Sequence, residues 1–152
     1  MTGVQTCALP IYPQGGLILA GNILYGTAAN GGSSGNGTVF AVNTNGTGFT
    51  NLHSFSAAVA NGLGIYTNSD GGSPLAGLIL SGNTLYGTAY QGGPYANYGT
   101  VFAVNTDRTG FTNLHSFAGS PSDGSEPYAG LILSGNTLYG RSEEHTSETP
   151  VT

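Results

Sequence analysis

The 152-residue sequence predicts an all-β protein made of antiparallel four-stranded repeats. The first observation is repetition, because Gly-Leu-Ile-Leu-Ser-Gly-Asn-Thr-Leu-Tyr-Gly occupies residues 77–87 and 130–140, and residues 16–26 differ from it at two positions. The second is composition, since 27 residues are Gly and only 6% are charged. The third is the lack of any sustained apolar period near 3.6 residues, which argues against helices.

Two further segments recur in the same order. Gly-Thr-Val-Phe-Ala-Val-Asn-Thr occupies residues 37–44 and 99–106, and Gly-Phe-Thr-Asn-Leu-His-Ser-Phe occupies residues 48–55 and 110–117. A repeat-opening proline stands at Pro13, Pro74 and Pro127. These positions divide the chain into a first repeat over 12–73, a second over 74–126 and a partial third over 127–140. The unequal spacing lies in one loop, where repeat architectures absorb insertions.

Each repeat is expected to contain four short strands, rich in Val, Ile, Thr, Tyr and Phe. Gly and Asn mark the turns between them, because both accept a positive φ at little cost. In the first repeat the predicted strands are 17–19, 23–27, 38–43 and 49–55. In the second they are 78–80, 84–89, 100–105 and 111–117, and in the third only 131–133 and 137–139 remain.

The strands Leu-Ile-Leu and Val-Phe-Ala-Val are apolar on both faces. Strands of this kind must be covered on both faces. Four-stranded sheets that repeat every ~50 residues and cover one another are the blades of a β-propeller. We therefore expect a propeller fragment of about two blades and the first hairpin of a third, and expect its open faces to leave it marginally folded or self-associating.

Several of these segments together resemble the GloVer tandem repeat over about residues 13–140. They are Gly-Leu-Ile-Leu-Ser-Gly-Asn-Thr-Leu-Tyr-Gly-Thr, Gly-Thr-Val-Phe, Asn-Thr-Asp-x-Thr-Gly-Phe-Thr, Leu-His-Ser-Phe and the opening Asp-Gly…Pro-x-Ala-Gly-Leu. The resemblance implies a secreted or surface-anchored bacterial protein, located at the cell surface or outside the cell. It carries over no catalytic residue, and Arg108 departs from the Gly usual at its position.

Residues 1–11 and 141–152 fit no repeat. Both resemble translations of opposite strands of one sequencing adapter, so we interpret both as adapter artefacts and the reading frame as truncated on both sides. Excluding them removes Cys7, Met1 and His145 and leaves four acidic side chains against Arg108. Without a cysteine, the remaining residues offer no disulfide, thiol nucleophile or cysteine-based metal site.

Charge and hydropathy exclude two classes of partner. Two basic residues and a formal net charge of −5 argue against nucleic acid, whose phosphates are bound mainly by Lys and Arg. No apolar run approaches the ~20 residues of a membrane-spanning helix. The expected partners are other blades of the same parent protein, with a glycan or a surface protein as further candidates.

Asp70 and Asp123 occupy equivalent Asp-Gly loops before a repeat-opening proline. Clustered carboxylate and carbonyl oxygens are ligands for calcium, which makes the two residues weak metal candidates. Each loop lacks Asp-x-Asp spacing, however, and an Asp-Gly turn whose side chain bonds its own backbone explains both. We expect the turn.

His53 and His115 share one register position in the fourth strand. Histidine can act as a general base or bind a metal, but a residue repeated once per blade is more typical of a structural role. We expect each ring to bond a neighbouring backbone group. No serine lies in the strand–turn–helix setting of a nucleophile elbow. The sequence therefore predicts a protein that is not an enzyme and has no cofactor.

Tyr90, Tyr95 and Tyr98 cluster in a loop of the second repeat where the first repeat has small residues. Exposed tyrosines can stack on a sugar or contact a protein partner, since each combines apolar area with a polar tip. The alternative is packing against the next blade. The sequence thus favours a non-catalytic structural or interaction repeat module. Its alternative is part of a carbohydrate-binding or carbohydrate-active propeller whose site lies largely outside this chain.

Overall fold

The computed structural model describes residues 12–121 and 123–141, and within these ranges it contains strands but no helix. The all-β expectation is therefore confirmed. No described segment could cross a membrane as a helix. The strands are β1 (Ile18–Ala20), β2 (Ile23–Ala28), β3 (Thr38–Asn43), β4 (Thr50–Ser54), β5 (Val59–Ala60), β6 (Tyr66–Thr67), β7 (Ile79–Ser81), β8 (Thr84–Ala89), β9 (Thr100–Asn105), β10 (Thr112–Ser116), β11 (Ile132–Ser134) and β12 (Thr137–Tyr139).

The strands form two open four-stranded antiparallel sheets and two hairpins. The first sheet has the order β1-β2-β3-β4, and the second, over β7 to β10, repeats the same meander. The β11-β12 hairpin pairs in the same register as β1-β2 and β7-β8. The antiparallel strands predicted for each repeat are present, with ends that differ by one or two residues. The interpretation of residues 1–11 and 142–152 lies outside the described residues.

The short β5-β6 hairpin lies inside the loop that follows β4 and was not predicted. Its turn is built by Asn61, whose side-chain oxygen accepts hydrogen bonds from the backbone N–H groups of Leu63 (2.9 Å) and Ile65 (3.0 Å). An Asn side chain that mimics a backbone turn in this way closes a hairpin without an apolar face. The hairpin is two residues deep on each side and largely exposed.

The core lies between the two sheets, because each sheet has one apolar face that it cannot bury alone. Phe55 of the first repeat and Phe102 of the second meet edge to face, with ring centroids 5.3 Å apart. Burying a side chain of this size stabilises the fold by roughly 1.5–3 kcal/mol. The buried cluster comprises Tyr25, Val39, Ala41, Leu52, Phe55, Leu78, Leu85, Ala89, Phe102 and Val104.

A β-bulge in β4 orients the side chains that face the second repeat. Val39 pairs with His53 and Phe40 pairs with Asn51, so Leu52 has no partner across the ladder. In a regular strand successive residues alternate between faces, but the extra residue of a bulge resets that alternation. Leu52 and His53 therefore both face the second repeat. β10 has the same irregularity between Asn113 and His115.

Successive repeats are joined by the same contacts twice. The hydroxyl of Thr27 donates to the carbonyl oxygen of Ala76 (2.8 Å), and the hydroxyl of Thr88 donates to that of Ala129 (3.3 Å). The repeat-opening prolines are also docked alike, since a Cβ added at Gly37 would lie 2.6 Å from Cδ of Pro74, and one at Gly99 would lie 2.6 Å from Cδ of Pro127. The third repeat is thus placed on the second much as the second is placed on the first.

Candidate functional site

Each complete repeat contains one histidine–carboxylate pair. Nε2 of His53 lies 2.9 Å from Oδ2 of Asp70, and Nε2 of His115 lies 2.8 Å from Oδ2 of Asp123. The sequence singled out all four residues but predicted that the rings bond backbone groups and that the carboxylates bond their own turns. The structure joins each ring to a carboxylate across the loop that follows the fourth strand, and only Asp123 also bonds its own turn, through the backbone N–H of Gly124. These two pairs are called the first and second His–Asp pairs below.

The carboxylate of the first His–Asp pair is almost fully enclosed. Asp70 is 8% exposed and accepts two hydrogen bonds from Ser56, one from the backbone N–H at 3.0 Å and one from the hydroxyl. Burial raises the pKa of Asp70, but the hydrogen bonds from His53 and Ser56 outweigh it, so the pKa lies below its ordinary value. Asp70 is therefore held as a carboxylate.

The histidine of the first pair is covered by aromatic rings. The imidazole of His53 stacks on the ring of Phe111, with 3.6 Å between centroids and 9° between planes. The imidazole and the ring of Phe55 also lie perpendicular to each other, with centroids 5.0 Å apart. A general base must reach a substrate proton, and the ring of Phe111 from the next repeat covers one face of this imidazole, which limits that access. The arrangement serves packing between repeats.

The second His–Asp pair has the same polar geometry in a more open setting. The carboxylate of Asp123 also accepts from the backbone N–H groups of Gly124 (2.8 Å) and Ala118 (3.3 Å). Burial raises the pKa of Asp123, but the hydrogen bonds from His115 and Gly124 outweigh that effect and leave the pKa below its ordinary value. The side chain of His115 is 52% exposed, and within the described residues no ring stacks on its face.

A cavity of about 370 Å³ lies beside His115. It lies next to the second His–Asp pair in the position that the second sheet occupies next to the first pair, and its walls are mainly apolar. The side chains that form those walls come from the second sheet and from the β11-β12 hairpin. They include Val101, Leu114, His115, Phe117, Leu131 and Leu138.

The three tyrosines of the candidate binding cluster do not form one surface. The hydroxyl of Tyr90 donates to Oε2 of Glu126 at 2.9 Å. Tyr98 is partly buried with its ring against Gly119, while Tyr95 is 54% exposed. Two of the three thus pack on the loop that precedes the third repeat, and Tyr95 alone projects outward.

Tyr95 lines a second, wider groove of about 470 Å³. Residues of β10, among them Asn113 and His115, also line it. The side-chain oxygen of Asn113 is buried and has no hydrogen-bond partner among the described residues. Tyr95 and the imidazole of His115 thus line one open groove, and an exposed aromatic ring beside a polar ring is suited to a hydroxyl-bearing ligand.

The weak metal candidates are engaged by protein groups. Asp70 and Asp123 each bind a histidine and backbone or hydroxyl donors. In residues 12–121 and 123–141 no group of three or more His, Cys, Asp and Glu side chains is arranged to hold a metal ion.

Comparison with known proteins adds no relative to this description. No protein-family model matches the chain, and no curated protein or solved structure matches it significantly. The resemblance to the GloVer repeat stays a prediction from the motifs.

Proposed function

We propose that the chain is a non-catalytic structural or interaction repeat module of a secreted or surface-anchored bacterial β-propeller protein. The observation that carries the proposal is the repetition of the His–Asp pair together with the contacts between repeats. In each repeat the pair ties the outer loop to the fourth strand, and the first pair also supports the next sheet. Repeat arrays derive much of their stability from such interfaces between neighbours.

The order of groups in the first pair opposes a hydrolytic role. Nε2 of His53 binds one oxygen of Asp70, and the hydroxyl of Ser56 binds the other oxygen of the same carboxylate. In a nucleophilic triad the serine instead binds the imidazole, which removes its proton, and the carboxylate orients the far side of the ring. Here both groups converge on the carboxylate, so His53 is not placed to activate Ser56.

The contacts between first strands support a radial arrangement. A Cβ added at Gly77 would lie 3.2 Å from the carbonyl oxygen of Gly16, and one at Gly130 would lie 3.6 Å from that of Gly77. The chain segments that enter the first strand of each repeat therefore approach one another through glycines. Sheets that converge at their first strands while their outer loops differ in length are typical of propeller blades.

The structural role can be tested against a catalytic one by comparing His53→Gln with His115→Gln. A structural role predicts that the first substitution lowers the free energy of unfolding more, since His53 is enclosed and His115 is half exposed. Both variants and the parent would also be assayed on panels of glycosides and esters. Turnover by the parent that is lost in either variant without a loss of stability would overturn the proposal.

The groove beside Tyr95 favours carbohydrate binding as a second candidate function. We would screen the protein on a glycan array and compare Tyr95→Ala with Tyr66→Ala. Tyr66 is a matched control because it is 63% exposed and lies in the β5-β6 hairpin, outside the groove. Binding that is lost only in Tyr95→Ala would support this candidate. Absence of binding to any glycan would leave the structural role.

A further inference from the structure

The face of the second sheet that carries the second His–Asp pair is covered differently from its counterpart in the first repeat. Leu52 is 7% exposed, whereas the equivalent Leu114 is 47% exposed. The difference arises because Leu52 faces a complete four-stranded sheet and Leu114 faces the β11-β12 hairpin. Part of this apolar face is therefore open.

The cavity beside His115 matches the first inter-repeat contact position by position. In that contact the equivalent walls enclose two aromatic side chains of the second repeat, Phe102 from β9 and Phe111, which immediately precedes β10. Their rings lie 5.7 Å apart and close over Phe55 and His53. The walls that correspond are Val39 with Val101, Leu52 with Leu114, His53 with His115, Phe55 with Phe117, Leu78 with Leu131, and Leu85 with Leu138.

The hairpin beside the cavity also presents a backbone edge. β8 pairs with β7 on one side and β9 on the other, whereas β12 pairs with β11 alone among the described residues. The outer edge of β12 thus carries backbone N–H and C=O groups that can accept another strand. In the equivalent sheet, the strand added at this edge is antiparallel and pairs Leu85 with Val104.

We propose that the cavity beside His115 and the outer edge of β12 together dock a β-hairpin from a further repeat of the same type, namely the hairpin formed by its third and fourth strands. The third strand of that hairpin extends the sheet at β12, its first phenylalanine fills the cavity, and its second stacks on the open face of His115. The inference rests on the proposed function and names the partner of the module. A second copy of this chain is not a suitable donor, because both hairpins of this kind in residues 12–121 and 123–141 are already paired within four-stranded sheets.

The test is a titration of the full chain with a synthetic peptide of residues 99–117, followed by calorimetry and by the NMR signals of the His53 and His115 rings. We expect saturable one-to-one binding that shifts the signals of His115 and leaves those of enclosed His53 unchanged. A control peptide with Ala in place of its two inner phenylalanines should bind at least tenfold more weakly. The protein variant Leu114→Arg should also bind at least tenfold more weakly, and its exposed position spares the core.

Three results would overturn the inference. The first is that the peptide leaves the NMR signals of His115 unchanged. The second is that the control peptide binds as tightly as the original peptide and that Leu114→Arg binds as tightly as the parent. The third is a dimer in sedimentation that the peptide does not dissociate, which would assign the cavity beside His115 to a second copy. His115→Ala is a further variant whose binding should fall without loss of fold. If the peptide fails to bind while His53→Gln still destabilises the protein, the docking inference fails and the structural function stands.

Discussion

The imidazole of His53 lies flat against the ring of Phe111, 3.6 Å from it between centroids, although the two residues belong to different repeats. The same imidazole binds Asp70 through Nε2. One side chain thus connects the fourth strand of a repeat, the loop that follows it and the sheet of the next repeat. Perturbing any of these three partners should loosen the contact between the sheets.

Phe111→Ala removes the ring that covers His53. Replacing a buried phenylalanine by alanine lowers the free energy of unfolding by about 3–5 kcal/mol. Because Phe111 is partly buried, we expect a loss of about 3 kcal/mol. The free energy of unfolding in urea measures it. The matched control is Phe49→Ala, since Phe49 occupies the same position in the first repeat and is 43% exposed. Equal losses in the two variants would contradict a role for the stack.

The first His–Asp pair makes stability dependent on pH on the acid side. Because the pKa of Asp70 is lower in the folded chain than its ordinary value of 3.8, its contribution is fully present above that value. The contribution is lost as the pH falls through the lowered folded pKa. We expect Asp70→Asn to lower the free energy of unfolding by about 2 kcal/mol at pH 7. We also expect the free energy of unfolding of this variant to depend less on pH in the acid range.

The control for this experiment is Asp123→Asn. The side chain of Asp123 is 28% exposed, so solvent weakens its pairing and the expected cost is about 0.5 kcal/mol. Unfolding would be measured between pH 7 and pH 2 for the parent and both variants. If the free energy of unfolding falls with acid as steeply in Asp70→Asn as in the parent, Asp70 is not the source of that pH dependence.

The sequence predicted the strands well and the His–Asp pairs poorly, for a physical reason. Strand positions follow from local apolar runs bounded by Gly and Asn, which recur at fixed spacing. The pairing joins residues 17 apart in the first repeat and 8 apart in the second, so no fixed interval signals it. The bulge at Leu52, which turns His53 toward the second repeat, also has no local signature. The sequence does contain one signal of the pairing, because in both repeats a histidine precedes the loop after the fourth strand and an aspartate lies at the end of that loop.

The tyrosine cluster shows the same limit of local reasoning. Proximity in sequence suggested one surface, but Tyr90 and Tyr98 pack on the loop before the third repeat while Tyr95 points into a groove. Which tyrosine is available to a ligand depends on the path of that loop, and the sequence of the cluster does not encode it.

Gly37→Ala should disrupt the contact between the first and second repeats. Gly37 has a φ of 102°, and an added Cβ would lie 2.6 Å from both Cδ of Pro74 and the carbonyl oxygen of Ala28. The backbone would have to move, and we expect a loss of about 3 kcal/mol. Gly35→Ala is the control, because Gly35 has a φ of 80° and open space around it, so it should cost only about 1 kcal/mol. Thermal unfolding of both variants would separate the clash from the backbone strain.

Arg108→Gly should stabilise the protein. Arg108 has a φ of 75° at the turn where the first repeat has Gly46, with a φ of 82°. Relief of this left-handed conformation is worth about 1 kcal/mol. Arg108→Ala removes the same side chain without relieving the backbone and should not stabilise, so chemical denaturation of the two variants distinguishes the causes. A gain shared by both would point to the loss of the charge.

The two His–Asp pairs close loops of very different length on nearly the same geometry, with 2.9 Å and 2.8 Å between ring and carboxylate. The entropic cost of closing a loop grows only slowly with its length. The length and sequence of the loop between each histidine and its aspartate can therefore change without altering the sheet. The stretch between Ser56 and Asp70 can then diversify, or receive a grafted peptide, while the framework beneath it stays constant. A chain organised in this way can display variable segments at regular intervals along one scaffold.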